Sequence, residues 1–279
     1  IRSPKDYKIA CTGNVLSVEE KGDVKIWDIE AFAVRDFAFV ASDRFMVHTK
    51  KVGKTTVYSY YFTPKAGRRA LKYAADAIGI YNKRFGKYPY SQFTLVEADF
   101  YIGGMEYPNL VLIDTSLYLD DSDDLLEIVT VHETAHQWWY GVVGNNQIEE
   151  AWLDEGLTEY STLLYFKHRY GEKKMDKMKE TRMGEGKYNA LSVYTQGKDI
   201  DETIARPVYR FPDWIIYDFL VYGKGAMIFD SLSAEVGEKE MYSILSQYYE
   251  DNMFKNATLE DLLVACEKVT GEDYSVFFN

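Results

Sequence analysis

Apolar and polar positions alternate in short runs over residues 1 to about 62: VKIWDI (24–29), DFAFVA (36–41), RFMVHT (44–49) and TTVYSYYF (55–62). A period of two is that of a strand, and the runs are bounded by turn sequences at Gly13-Asn14, Lys21-Gly22-Asp23 and Val52-Gly53-Lys54. A small antiparallel β unit is predicted there. At Pro64 the period changes. In KAGRRALKYAADAIGIYNKRFG the apolar residues recur at helical spacing as far as Gly86, which places a domain boundary at 63/64. Two strand-like runs follow, FTLVEA (93–98) and NLVLID (109–114), with Gly103-Gly104 between them. Ser122, Asp123 and Asp124 then form an acidic helix start, and DLLEIVTVHETAHQWWYG continues to a stop at Gly141. A second helix is expected over 150–170, ending at Gly171, followed by a solvated helical face over 172–180. Residues 184–213, rich in Gly, Asp, Pro and Tyr, read as a long loop, with helices resuming near Tyr222. The order describes an α+β protein, strands first and helices after.

Composition changes this picture little, except by exclusion. With 32 Lys plus Arg against 44 Asp plus Glu the formal charge is −12, so the clustered cations that a nucleic-acid backbone requires are lacking. At 47% hydrophobic and 27% charged the 279 residues can bury a real core, which excludes disorder. No apolar run reaches the roughly 18–20 residues that span a bilayer. Cys11 and Cys266 lie at opposite ends without metal-ligand spacing and read as buried or unpaired thiols. The first residue is Ile, the opening IRSPKDYK carries no apolar leader, and the compartment is not legible.

Among only four histidines, two fall in His132-Glu133-Thr134-Ala135-His136. On a helix, positions i and i+4 share a face, so both imidazoles can reach one ion while Glu133 projects beside them as a base for a water molecule. A catalytic zinc takes three protein ligands and keeps a position for water, so a third ligand is owed. Glu155, after 18 intervening residues, is the candidate, with Glu149, Glu150, Asp154 and Glu159 as rivals by chemistry alone. Glu159, one turn later, can instead orient a ligand histidine. His48, alternating with Phe45 and Val47, and His168, at a helix end where a cation suits the dipole, read as structural or solvent-facing.

With HETAHQWW, its 18-residue spacer to LDEGLTEY, GGMEYP (103–108) and YGKGA (222–226), residues 90–230 resemble the zinc aminopeptidases that include membrane alanyl aminopeptidase and leukotriene hydrolase. The resemblance implies a thermolysin-like catalytic domain of small sheet plus helices over 64–279, preceded over 1–63 by the C-terminal part of an antiparallel β domain. It implies one Zn2+ held by His132, His136 and Glu155, with Glu133 as general base and Tyr222 stabilising the tetrahedral intermediate. Glu106 would bind the free α-amino group of a peptide, with Gly103, Gly104 and Met105 approaching its main chain. Tyr217 is a weaker candidate for the same pocket. The sequence departs from the family where Tyr107-Pro108 follows Glu106 in place of the usual Asn. It also departs at the left edge, where an upstream amine-binding residue is missing, and at the right, where no helical C-terminal domain follows. The expectation is therefore a catalytic core cut from a longer aminopeptidase, in contact with further N- and C-terminal domains of that protein.

Expected function follows as removal of N-terminal residues from peptides by metal-activated water, with no covalent nucleophile and no G-x-S-x-G sequence to supply one. Two alternatives share the motif: a thermolysin-type endopeptidase, which needs no amine anchor, and a catalytically weak peptide-binding fragment of the same fold.

Overall fold

The structure, a computed structural model, describes residues 1–119 and 124–278; Ser122 and Asp123 of the expected helix start lie outside the described residues. The chain divides into two compact units, Ile1–Gly79 with Tyr88–Gln137, and Ile80–Lys87 with Trp138–Asn279.

In the first unit the alternating runs become β1 (Arg2–Pro4), β2 (Lys8–Cys11), β3 (Asn14–Lys21), β4 (Val24–Glu30), β5 (Phe39–Ser42), β6 (Met46–Val52) and β7 (Thr55–Tyr61). β1, β4 and β3 form one antiparallel sheet and β2 with β5 another. Strand pairing continues past residue 63. β6 and β7 join β8 (Gln92–Ala98), β9 (Gly104–Met105) and β10 (Leu110–Asp114) in a mixed sheet of order β6-β7-β8-β10-β9. β7 and β8 run parallel, with Val57 opposite Phe93. Parallel neighbours need a crossover, which the helix α1 (Pro64–Arg84) supplies.

Pro64 sits at the first helical position, where a missing N–H costs nothing. The backbone donors just before it are taken by Glu97, whose fully buried carboxylate accepts from Phe62 N at 2.7 Å and Thr63 N at 2.8 Å. β8 is buried from Gln92 to Glu97, the continuous pattern of a central strand covered on both faces. Its Val96 packs with Ala10, Phe45 and Leu110 in the core. β9 lies at the sheet edge beside β10, with Gly104 opposite Ile113 and Met105 opposite Leu112. After the short α2 (Thr115–Leu119), α3 (Leu125–Ala135) carries the histidine motif.

α3 stops earlier than the sequence suggests. The apolar run continues through QWWYG, but Tyr140 sits at φ 133° and its N–H bonds Val143 O at 2.7 Å, turning the chain where the helix was expected to run on.

Helices build the second unit: α4 (Ala151–Tyr170), α5 (Glu172–Thr181), α6 (Gly184–Tyr194), α7 (Trp214–Tyr217), α8 (Gly225–Val236), α9 (Glu238–Asn252) and α10 (Leu259–Thr270). α4 matches its predicted span to within a residue and ends at Gly171. The expected loop over 184–213 is corrected by α6, which covers its first third. Gly184 and Gly186 lower the helix propensity there, while Met183 and Leu191, both buried, supply the packing that restores it. Helix also resumes before Tyr222, at Trp214, and passes through a π-helical stretch, Asp218–Lys224, into α8. α4 and α8 cross backbone to backbone at two glycines, a Cβ on Gly225 lying only 2.9 Å from Gly156 Cα. No helix among the described residues is long and apolar enough to cross a membrane.

Candidate metal centre

α3 is buried almost all round, and its last turn presents His132, Glu133 and, at its C-terminal boundary, His136, each less than a tenth exposed. The two imidazoles approach edge to face, at 78° between rings, and their Nε2 atoms are 3.2 Å apart. Two nitrogens bound to one tetrahedral zinc at 2.0–2.1 Å stand about 3.3 Å apart. The pair is therefore spaced as two ligands of a single ion, and the residues present fit such a group.

Beside them the edge strand β9 comes close. A Cβ on Gly104 would meet Glu133 Oε1 at 2.2 Å, so the carboxylate lies flush against the glycine backbone, which a side chain there would displace. Gly103, at φ 88°, makes the preceding turn and its carbonyl accepts from Asp114 N at 2.8 Å. Glu106 and Met105 follow on the same segment, both half-buried.

What holds that segment is a residue the sequence reading did not single out. Gln137, adjacent to His136 and 1% exposed, accepts from Asn109 N at 2.8 Å and donates to Tyr107 O at 3.2 Å. Asn109, at φ 64°, returns the chain into β10 and its side chain donates to Tyr88 Oη at 3.1 Å. The turn that follows the histidine helix thus also fixes the loop after Glu106. A buried amide one residue past a metal-ligand motif was the available signal.

In the second unit Glu155 lies in the first turns of α4, half-buried in a helix otherwise buried from Ala151 to Phe166. Of its rivals, Asp154 accepts a hydrogen bond from Gln147 Nε2. The pKa of Glu150 is raised by burial and by Asp261. Glu159, 2% exposed, pairs with Lys187 Nζ at 3.5 Å. The same ammonium bonds Asp218 Oδ1 at 2.9 Å and stands 4.6 Å above the ring of Tyr222. Burial opposes its charge, but Glu159 and Asp218 prevail and hold the Lys187 pKa up at about 12. Tyr217 packs edge-on against Tyr222 at 6.0 Å and against Phe211 at 5.2 Å. Lys187 was hidden in the sequence because its segment read as loop.

The remaining histidines and cysteines are structural. His48 Nδ1 bonds Tyr61 Oη at 2.5 Å. His168 bonds Tyr242 Oη at 2.8 Å, and burial, then Arg84, pushes its pKa down, so it is a neutral partner where a cation at the helix end was expected. Cys11 and Cys266 are free and buried, and burial lifts both thiols to about 11, which leaves them unreactive.

Comparison with known proteins places these features in a family. The chain is 26% identical over 253 residues to Aminopeptidase 2 of Candida albicans, covering 87% of this chain and 26% of that protein. It is 25% identical over 288 residues to Aminopeptidase M1 of Arabidopsis thaliana, covering 95% of this chain and 31% of that one. The chain thus spans about a quarter to a third of the length of these curated relatives. Two solved structures share its fold. One is a two-domain M1 zinc metallopeptidase variant bound to L-arginine (TM-score 0.73, 17% identity, 97% of this chain and 59% of that one). The other is an M1 zinc metallopeptidase variant from Deinococcus radiodurans (TM-score 0.72, 17% identity, 99% and 61%). The Peptidase family M1 domain profile matches residues 69–279, well over half of the chain, and the protein belongs to peptidase family M1.

Proposed function

We propose that this protein is a zinc-dependent aminopeptidase that hydrolyses N-terminal residues from peptides, with one Zn2+ held by His132, His136 and Glu155. The observation that carries the reading is the 3.2 Å separation of the two Nε2 atoms beside Glu133 in a chain of this family. Two imidazoles and a carboxylate are a donor set of catalytic zinc. The engagement of Glu159 by Lys187 supports Glu155 over Glu159 as the third ligand. Glu159 then backs a ligand imidazole from one turn further along α4. The match from residue 69 onward supports a catalytic domain that includes 64–279, to whose sheet β6 and β7 of the preceding segment also contribute.

When bound, the ion polarises the scissile carbonyl and makes water acidic enough to react near neutral pH. Glu133 takes the proton from the attacking water and delivers it to the departing amine; its carboxylate lying against Gly104 on β9, beside the segment that carries Glu106, supports this role. Glu106 pairs with the substrate's α-ammonium and so fixes the scissile bond one residue from the terminus. Gly103, Gly104 and Met105 hold the peptide main chain. Tyr222 donates to the oxygen on which negative charge develops.

Against a thermolysin-type endopeptidase the amine anchor decides. Hydrolysis of matched peptides with a free and an N-acetylated terminus should favour the free amine, and Glu106→Gln should raise KM for that substrate alone. Equal or faster cleavage of the blocked peptide contradicts the aminopeptidase reading.

A further inference from the structure

The proposed role of Tyr222 in the reaction leaves open what holds and tunes its phenol. We propose that Lys187 is a positioning residue for Tyr222, acting by its ammonium on the face of the phenol ring; the inference rests on the role assigned to Tyr222 above.

Three features converge on this. Lys187 Nζ lies 4.6 Å from the Tyr222 ring centroid, within cation–π range, while bonded to Asp218 at 2.9 Å and to the buried Glu159 at 3.5 Å. The side chain is therefore fixed at three points, on α4, on the π-helical stretch and on the ring itself. Next, Tyr222 belongs to that stretch, Asp218–Lys224, four residues after Asp218, so Lys187 meets the segment that carries the phenol at two positions one turn apart. π-Helical insertions are uncommon and frequent at functional sites.

Last, Gly223 leaves room for this approach. A Cβ there would stand 2.9 Å from Lys187 Cβ, 2.9 Å from Tyr188 N and 3.0 Å from Gly184 O, so only glycine lets α6 lie against the segment. Lys224, on the other side, donates to Glu202 O at 3.0 Å and secures the same stretch to the chain after α6. A cation on the ring face draws electron density from the phenol and strengthens its O–H as a donor. That gain is largest when the accepting oxygen becomes an anion, so the effect falls on kcat.

A charge that merely neutralises Glu159 and Asp218 gives a different result, and a double-mutant cycle separates the two. The zinc-loaded chain is assayed on an aminoacyl reporter as wild type, Lys187→Met, Tyr222→Phe and the double variant, with melting temperature and zinc content measured for each. Tyr222→Phe is expected to lower kcat about 100-fold, and Lys187→Met about 10-fold with KM unchanged. In the Tyr222→Phe background Lys187→Met should cost no more than about 2-fold further. Lys187→Arg, which keeps the charge that Glu159 and Asp218 need, should recover most of kcat, and Lys187→Gln carries the cycle if the Met variant does not fold.

Equal losses in both backgrounds, with Tyr222→Phe still slow, overturn the role of Lys187 and leave that of Tyr222 standing. If Tyr222→Phe retains wild-type kcat, both fall.

Discussion

Gly225→Ala and Gly79→Ala place the same methyl group in two helices and are expected to move stability in opposite directions. In an open helix alanine is favoured over glycine by about 0.8–1.0 kcal/mol. Gly79, in α1, has space for it, since the nearest atom to a new Cβ is Val52 Cγ1 at 3.9 Å, an ordinary contact. Most of the propensity gain should survive. At Gly225 the new Cβ would lie 2.9 Å from Gly156 Cα. The neighbour is backbone, so no side chain can swing away and the helices must part. Overpacking of this kind costs about 1–3 kcal/mol. Because both partners are main chain the upper half of that range applies, leaving a net loss of about 1–2 kcal/mol after the propensity gain. At about 2–4 °C per kcal/mol, the Gly225→Ala melting temperature should fall by about 2–8 °C and that of Gly79→Ala should rise by about 1–4 °C. Thermal unfolding followed by circular dichroism at fixed zinc concentration reads both. A Gly225→Ala protein as stable as wild type, or more so, refutes the close crossing of α4 and α8. Because Gly156 directly follows Glu155, the same variant is expected to release zinc faster.

Three further outcomes are expected. Glu133→Gln should lower kcat by about 100- to 10,000-fold while zinc content stays unchanged; retained activity would remove Glu133 as the base. Gln137→Ala leaves the buried Asn109 N–H without its acceptor, which should cost about 1–3 kcal/mol in urea unfolding and raise KM more than it lowers kcat, whereas wild-type stability would refute the clamp. His168 is held below its ordinary pKa, chiefly by burial, so between its folded pKa and about 6.5 the unfolded chain binds the extra proton. Its contribution is complete above the unfolded pKa and is lost as pH falls through 6.5 toward the folded value. His168→Gln should flatten the dependence of the urea midpoint between pH 7 and 5; an unaltered slope argues against the half-buried neutral imidazole.

The histidine helix was legible because its pattern is local, an i, i+4 pair with a carboxylate between them, whereas spacing alone left several carboxylates open as the third ligand. The strand β7 was legible for a similar reason, its period of two being set by which face is buried, and β8 and β10 were legible as short apolar runs between turn residues. Pairing was not. Nothing in TTVYSYYF says that it lies parallel to FTLVEA across a helix, since hydrogen-bond partners are chosen by the whole sheet. α6 was missed because its glycines argue against helix and its packing partners lie far along the chain, and Lys187 was lost with it. Gly156 and Gly225 illustrate the same limit: each is unremarkable alone and gains meaning only where the two backbones meet. The early end of α3 was hidden because QWWYG continues the apolar pattern while the turn at Tyr140 depends on a bond to Val143.

The most direct measurement is a zinc titration of the metal-depleted protein, following hydrolysis of a free-amine aminoacyl reporter in the wild type and in Glu155→Gln. Activity should be absent without metal, rise linearly and reach its plateau at one equivalent of zinc, while Glu155→Gln should bind zinc weakly and stay slow. Undiminished hydrolysis after metal removal, or a Glu155→Gln protein that titrates like the wild type, would contradict the metal centre on which the account rests.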